Sequence, residues 1–533
     1  MDAVRSKGQL PSVPALAIIA HMAGRLVHIH LDEERLDEEE VESLDLPSLC
    51  RLPDSRTFVI TLPAAGAAVA YYRDAGGRLC RATAFCRWAA ILRSYGILAL
   101  VISGVAHRLA YLEAGPEGLS LAHCENIRFC PASHFYDILS TSSDDGYLAI
   151  GEAGERRSPL AACRTDSCLS FARGGLAATM GQMNFKGIMA HSNGPLEEGN
   201  LPKLPKSRLL KDMAMYGNGV LLDFGLRNGW LPIRHFSGKY DPRAAFLDGR
   251  MAIRLYTVEH SSCPSCQLSC HLSEAGEALP GWQDAMSLGS GMGIFSSERV
   301  KVLCSKCAEL GLDSVSAGEV LATLNVCDNV PYTYPVVKGA SLDELCRILS
   351  SIASRKGVGE LVSAGFDSLD GSVSVSGRAV GFDLRGAHAQ ALFTVFGELT
   401  PCYVDLVRKL SAHLDEEDVG RAAAWLRIFT HALEDRGVPA FYMLPLHFIH
   451  LPLLKSTWRL VMRTFRIPGV GNRRLVREGL ASVDAMDGAN EGEASLPEIF
   501  SSPGTVGYTD ELSLLRLMEG YKAEMARIRA SVK

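Results

Sequence analysis

Short apolar runs broken by turn residues fill the first 195 or so positions. Residues 26–31, 57–62, 98–102 and 147–150 are rich in β-branched and other apolar side chains and are bounded by Gly, Pro or Asp, a pattern that predicts strands. The most apolar stretch, 97–105, falls well short of the roughly 18–20 uninterrupted apolar residues that a membrane span needs, and reads as a buried strand. Gly, Asn and Pro then crowd residues 191–205, as in a linker. Beyond it the texture changes. Residues 207–215, 297–310, 315–324 and 342–354 carry apolar side chains at helical spacing. A Gly- and Ser-rich stretch covers 357–387, after which 404–413, 416–435 and 510–532 again predict helices. No repeat of fixed period interrupts this order. The pattern is α+β: a β-sheet-rich domain over 1–195, a helical domain over 196–385 and a helical C-terminal domain over 386–533.

Composition adds little to the fold but excludes several functions. The 533 residues are 47% apolar and 21% charged, as in ordinary globular proteins of several domains. The formal net charge is -6 and no basic block is present, so the electrostatic footprint of a nucleic-acid-binding protein is missing. The acidic run 32–42 reads as a solvated turn or face. The first residues lack the ordered basic, apolar and small-residue regions of a signal peptide, which leads us to expect a cytoplasmic protein without membrane spans. The 15 cysteines are too sparse for a secreted disulfide framework.

The sharpest local signal is Cys263-Pro-Ser-Cys266-Gln-Leu-Ser-Cys270. Three thiolates in so short a window converge if the segment turns, and thiolates suit iron–sulfur clusters or zinc. Either centre takes a fourth ligand, for which Cys304, Cys307 and Cys402 are candidates by type. His260 and His271 flank the motif, positions where a histidine is more often structural.

The cysteine motif resembles the cluster motif of the aldehyde:ferredoxin oxidoreductase family, and the resemblance continues in order on both sides. Gly151-Glu-Ala-Gly-Glu155 looks like the family's iGpAGE segment. Arg173-Gly-Gly-Leu-Ala-Ala-Thr-Met-Gly181, followed by Asn184-Phe-Lys186, is similar to its RgGlGAVMGSKnLK loop. Leu231-Pro-Ile-Arg-His-Phe236 is similar to LPTRNF, Gly311-Leu-Asp313 with Ser316 and Gly318 to GlDtisxG, and Phe382-Asp-Leu-Arg-Gly386 to yDpRG. The resemblance implies a pterin-binding N-terminal domain and a cytoplasmic enzyme that oxidises a small aldehyde to a carboxylate. It implies tungsten, or molybdenum, on two pterins and a 4Fe–4S cluster on Cys263, Cys266 and Cys270 that passes electrons to ferredoxin. It also allows a homodimer. Arg173, Gly174, Gly175 and Asp313 would hold pterin. Glycines let backbone approach such a ligand, and an arginine adds a charge-assisted bond to its phosphate. Asp is also a strong helix N-cap, so Asp313 has a structural role open to it.

Several positions depart from the family pattern. The segment matching DSLGLC is Glu434-Asp-Arg-Gly437-Val-Pro439, which puts Glu434 at a pterin-contacting Asp, Gly437 in the same loop and Pro439 at the fourth cluster cysteine. Gln283 stands where PEYE has a candidate proton acceptor, and an amide is no carboxylate base. Tyr403 stands at the active-site His; its ordinary pKa near 10 makes it a poor base at neutral pH. Thr83-Ala-Phe85-Cys86 matches the NSGG pterin loop, with bulk in place of glycine. Two functional expectations follow, an oxidoreductase with an altered site and a non-catalytic paralog that binds a partner. A structural zinc site is a third, blander reading of the cysteines.

Overall fold

The computed structural model describes residues 24–63, 66–74, 77–166, 171, 175–196, 207–229, 231–238, 240–264, 266–326, 337–362, 374–375, 378–379, 415–438, 472–489 and 511–532. The architecture is α+β as the sequence pattern predicts, with two sheets in the N-terminal part and mainly helices after it.

The first sheet uses β1 (Gly24–His30), β2 (Arg35–Val41), β3 (Thr57–Thr61), β4 (Ala67–Arg73), β5 (Leu79–Phe85) and β6 (Ile97–Ser103), in the order β2-β1-β6-β3-β4-β5. Only the β1–β6 pairing is parallel. The apolar run at 97–105 is central for a physical reason. Leu100 and Ile102 face one core while Ala99 and Val101 face another, so both faces of β6 must be apolar. The acidic run 32–42 supplies a turn and the edge strand β2, where exposed charge blocks further strand pairing.

The second sheet uses β7 (Ala110–Gly115), β8 (Gly118–His123), β9 (Gly146–Ile150), β10 (Cys163–Thr165) and β11 (Phe185–Ala190), in the order β10-β9-β11-β7-β8, with β7 and β11 parallel. The sheets meet through the Phe58 and Phe185 rings, 6.2 Å apart, and through the fully buried Trp88 of helix Arg87–Ser94. Asp166 takes that helix's free N–H groups at Arg87 (2.6 Å) and Trp88 (3.1 Å), and also Tyr147 N–H at 3.1 Å. Burial raises its pKa in spite of these bonds.

A small antiparallel sheet, β12 (Glu259–Ser261), β13 (His271–Glu274) and β14 (Glu277–Ala278), frames the cysteine segment. Helices follow, among them Ser297–Leu310, Ser314–Val326 and Leu342–Ala353. At the C-terminal end Glu416–Glu434, Asn472–Ala489 and Glu511–Val532 pack on one another, tied in part by Trp425 Nε1 donating to Glu524 Oε1 at 2.8 Å. Ala485 and Met486 of the middle helix join Val59, Val69, Tyr71 and Val101 on one face of the first sheet, so this bundle closes over the N-terminal part. The helix expected at 404–413 lies outside the described residues, and the expected linker 191–205 lies partly outside them.

Candidate functional site

Distant motifs converge on the start of helix Ser314–Val326. Gly151 and Gly311 approach so closely that a Cβ on Gly311 would lie 2.8 Å from the Gly151 backbone nitrogen. Ala162 N–H donates to Gly311 C=O at 2.9 Å, and Asp313 N–H to Leu160 C=O at 2.8 Å. Asp313 is buried, and its Oδ2 accepts from Ser316 N–H at 2.8 Å and from Ser316 Oγ–H at 2.5 Å. It therefore caps the helix, the structural role that its type allows.

Gln283 lies in the short helix Trp282–Asp284, half-buried beside this cap. Its neighbour Asp284 accepts from Ser314 Oγ–H at 2.5 Å and from Gly281 N–H at 2.9 Å. A fully buried π-helix, Ala285–Gly291, continues from it, an uncommon geometry that recurs at functional sites. A Cβ on Gly318 would meet the Ser287 backbone carbon at 2.8 Å, so the π-helix rests on helix Ser314–Val326.

Three consecutive non-glycine residues, Arg234, His235 and Phe236, hold φ of 48°, 50° and 62°. Each costs about 1–2 kcal/mol, and such strain gathers at ligand sites. The turn is pinned by Arg234 N–H on Ser290 C=O (2.9 Å) and His235 N–H on Gly291 C=O (2.6 Å). Its imidazole Nδ1 sits 3.2 Å from Glu319 Oε1, with both side chains 10% exposed.

Among the described residues, Arg164 Nε on β10 and Ser287 Oγ on the π-helix are buried without a hydrogen-bond partner. Arg164 and Asp284 both act on the buried Cys304 thiol, which burial pushes well above its ordinary range, with Asp284 adding to the rise and Arg164 opposing it. A desolvated guanidinium nitrogen and hydroxyl without partners suit a ligand that offers acceptors, such as a phosphate. Gly175, at φ 99° just before helix Leu176–Gln182, has open space where a Cβ would stand. A desolvated guanidinium on β10 and a buried hydroxyl on the π-helix are donors of the kind that a pterin's phosphate accepts from. Arg173 and Gly174 lie outside the described residues, as do Cys402 and Tyr403.

The cysteine segment behaves differently. It presses on the first sheet, where a Cβ on Gly66 would lie 2.8 Å from Pro264 Cβ. Cys263 packs with Ala67 and Phe85, Cys266 touches that cluster, and Cys270 joins the main core. Cys263 Sγ lies 3.4 Å from His271 Nε2, and burial lowers the His271 pKa to about 4, so that imidazole is neutral at pH 7. Burial raises the Cys266 thiol. Among the described residues no three His, Cys, Asp or Glu side chains are grouped to hold a metal ion. Cys266 packs against both the cluster that holds Cys263 and the core that holds Cys270, so it stands between the other two cysteines of the motif.

Residues 83–85, bulky where the family loop has glycine, form the end of β5, with Phe85 buried. Gly437, at φ 71°, ends helix Glu416–Glu434, with its N–H on Glu434 C=O at 2.9 Å and Val438 N–H on Leu433 C=O at 2.8 Å. Glu434 itself is ion-paired with Arg81 and accepts from Thr83 Oγ–H at 3.0 Å. Arg81, Arg164, Ser287 and the His235–Glu319 pair were not legible as site residues. Each is an ordinary residue type whose meaning comes from burial and distant partners.

Comparison with known proteins agrees with this architecture. The active site complex BamBC of benzoyl coenzyme A reductase, solved with 1,5-dienoyl-CoA, superposes with a TM-score of 0.61 over 96% of this chain and 100% of that one, at 13% identity, which shows a shared fold. Residues 61–192 match the N-terminal domain of aldehyde ferredoxin oxidoreductase, and residues 198–393 match its domains 2 and 3. The chain belongs to the aldehyde ferredoxin oxidoreductase family. It is 25% identical to the tungsten-containing aldehyde ferredoxin oxidoreductase of Pyrococcus furiosus over 51% of this chain and 50% of that protein. With the Pyrococcus horikoshii protein of the same name it shares 23% over 59% and 58%. The aliphatic sulfonate oxidoreductase, WOR-like subunit, of Pyrococcus furiosus is 24% identical over 33% and 31%. The chain thus spans about half the length of the curated relatives it matches. Among the described residues no helix is long and apolar enough to cross a membrane.

Proposed function

We propose that this chain is an oxidoreductase of its family's kind, acting on a small aldehyde, with a metal-bearing pterin held from the Asp313 side. The observation that carries the reading is the close approach of two family motifs, Gly151 against Gly311 beside the Asp313 cap, with Arg164 Nε and Ser287 Oγ buried and unpartnered among the described residues. Arg164 would take its phosphate. When bound, tungsten or molybdenum on pterin supplies two-electron chemistry at a carbonyl carbon. The protein must then handle the proton. Gln283 cannot accept it as a carboxylate would. The buried His235–Glu319 pair is the acid–base pair on this side, and Glu319 would hold the charge of a proton taken at the imidazole. Ferredoxin as electron acceptor rests on the names of the relatives, and no electron path is derived from the cysteines.

Metal, pterin and acid-labile sulfide content of anaerobically purified protein, with aldehyde-dependent reduction of a viologen dye, tests the reading. Tungsten or molybdenum with pterin and turnover supports it; neither cofactor nor turnover overturns it. A second reading, a non-catalytic family member retained for a partner, is supported by Gln283 in place of a carboxylate and by the ion pair of Glu434 with Arg81. It predicts that negative outcome together with a stably folded chain.

A further inference from the structure

Phe129 is a large apolar side chain left 41% exposed on a left-handed backbone, at φ 60°. That conformation is costly for a bulky residue and persists only where the surroundings impose it. The Phe129 N–H donates to both oxygens of the Glu155 carboxylate at 3.0 Å. Lys186 Nζ closes on Glu155 Oε1 at 2.5 Å and donates to the carbonyl of the next residue, Cys130, at 3.1 Å. Neither charged side chain of this clamp meets solvent. Arginines surround the ring. The Arg156 guanidinium carbon lies 4.2 Å from the Phe129 ring centroid and that of Arg128 lies 6.0 Å from it. Each is held by a carboxylate, Arg156 Nε donating to Glu152 Oε1 at 2.8 Å and Arg128 Nε to Glu125 Oε2 at 2.9 Å. Arg355 Nη1 donates to Arg156 C=O at 3.3 Å, and the exposed Arg157 follows in the chain. Arg157 and Arg355 also hold left-handed backbone, at φ 60° and 54°. Among the described residues neither of them forms an ion pair. A buried charge pair thus fixes a strained turn that presents one exposed aromatic ring among four arginines.

We propose that this platform docks an acidic partner protein, an apolar side chain of which packs on the free part of the Phe129 ring while neighbouring carboxylates pair with Arg157 and Arg355. The inference goes beyond the oxidoreductase reading and does not depend on it. On a chain of net charge -6, two guanidiniums without ion pairs beside an exposed ring select a partner of negative charge. Aromatic and arginine side chains are the types that carry most of an interface's binding energy. Held rigid in advance, they lose little further freedom when the partner arrives. A nucleic acid fits less well. Arg128 and Arg156 are already paired with carboxylates, which leaves few charges for phosphates, and the net charge of the chain opposes a polyanion.

The test uses the full chain with a photoreactive benzoylphenylalanine in place of Phe129, cross-linked in the cell that makes it and read by mass spectrometry. The expected product joins position 129 to an acidic segment of one other protein. That protein is then purified and titrated against the unmodified chain. Binding should weaken as salt rises, and Phe129→Asn, or Arg157→Glu with Arg355→Glu, should weaken it about tenfold or more. No cross-link, a cross-link to a second copy of this chain or to nucleic acid, or binding indifferent to these changes overturns the proposal. A second measurement needs no partner. Asparagine accepts left-handed backbone more readily than phenylalanine, so Phe129→Asn should leave the thermal midpoint unchanged or raised. A clear fall in the midpoint would mark the ring as part of the fold and overturn the docking role.

Discussion

Lys186 Nζ lies 2.5 Å from Glu155 Oε1, and neither side chain meets solvent. The same Nζ donates to Cys130 C=O at 3.1 Å, while both Glu155 oxygens accept from Phe129 N–H at 3.0 Å. Two motifs thirty-one residues apart are joined by a charge pair that also hydrogen-bonds to backbone on both sides. Breaking such a pair from one side leaves a buried charge alone. Lys186→Met should therefore cost about 3–5 kcal/mol, read from urea unfolding. Lys186→Met with Glu155→Gln should be less damaged than the single variant.

His191 joins β11 to two carboxylates, with Nδ1 2.9 Å from Asp145 Oδ2 and Nε2 3.1 Å from Glu113 Oε1. Burial alone would lower its pKa, but the hydrogen bonds and charges of Asp145 and Glu113 raise it above 6.5. With the folded value above the unfolded one, the protonated imidazole contributes its full stabilisation below pH 6.5, and this is lost as pH rises through the raised value. Asp145 is pushed up by burial but held down to about 2 by bonds from Ser192, His191 and Thr141. Its contribution is present above the ordinary Asp value and disappears only as pH falls towards that point. Thermal midpoints taken between pH 5 and 9 should decline on the alkaline side. His191→Gln should flatten that decline.

Two glycines of the 173–181 segment should respond differently to alanine. Gly175 has φ 99° and, among the described residues, nothing within 4 Å of a Cβ, so Gly175→Ala costs mainly backbone strain of about 1–2 kcal/mol. A Cβ on Gly181 would lie 1.9 Å from Gly154 C=O, where helix Leu176–Gln182 meets Glu152–Glu155. Gly181→Ala must move backbone and should be the more destabilised of the two in chemical denaturation. Equal losses would contradict this packing.

Asp313→Ala removes the carboxylate that caps helix Ser314–Val326 and should cost about 1 kcal/mol. Asp313→Asn retains an acceptor and should recover most of it. If the Asp313 side also holds pterin, cofactor content should fall in both variants, whereas a purely structural role would leave it following stability alone.

Much of the architecture was written in local pattern. The 97–105 run had to be a central strand because no face of it tolerates water, and residues 297–310 had to be a helix because of their apolar spacing; both elements formed as expected. The family motifs were also legible, since collinear short segments survive divergence. The site was not legible to the same degree. Spacing places Cys263, Cys266 and Cys270 near one another along the chain, but that Cys263 packs on Phe85 of β5 while Cys270 joins the main core is set by the fold. Glu434 reads in the sequence as an acidic replacement at a cofactor contact, and its ion pair with Arg81, far away in sequence, is visible only in the fold. Sequence alone determined the elements and the kinship, because both follow from local periodicity and short motifs. Only the tertiary structure decided which buried charges are satisfied by the protein itself and which polar atoms are left for a ligand, because that depends on partners brought together from distant parts of the chain.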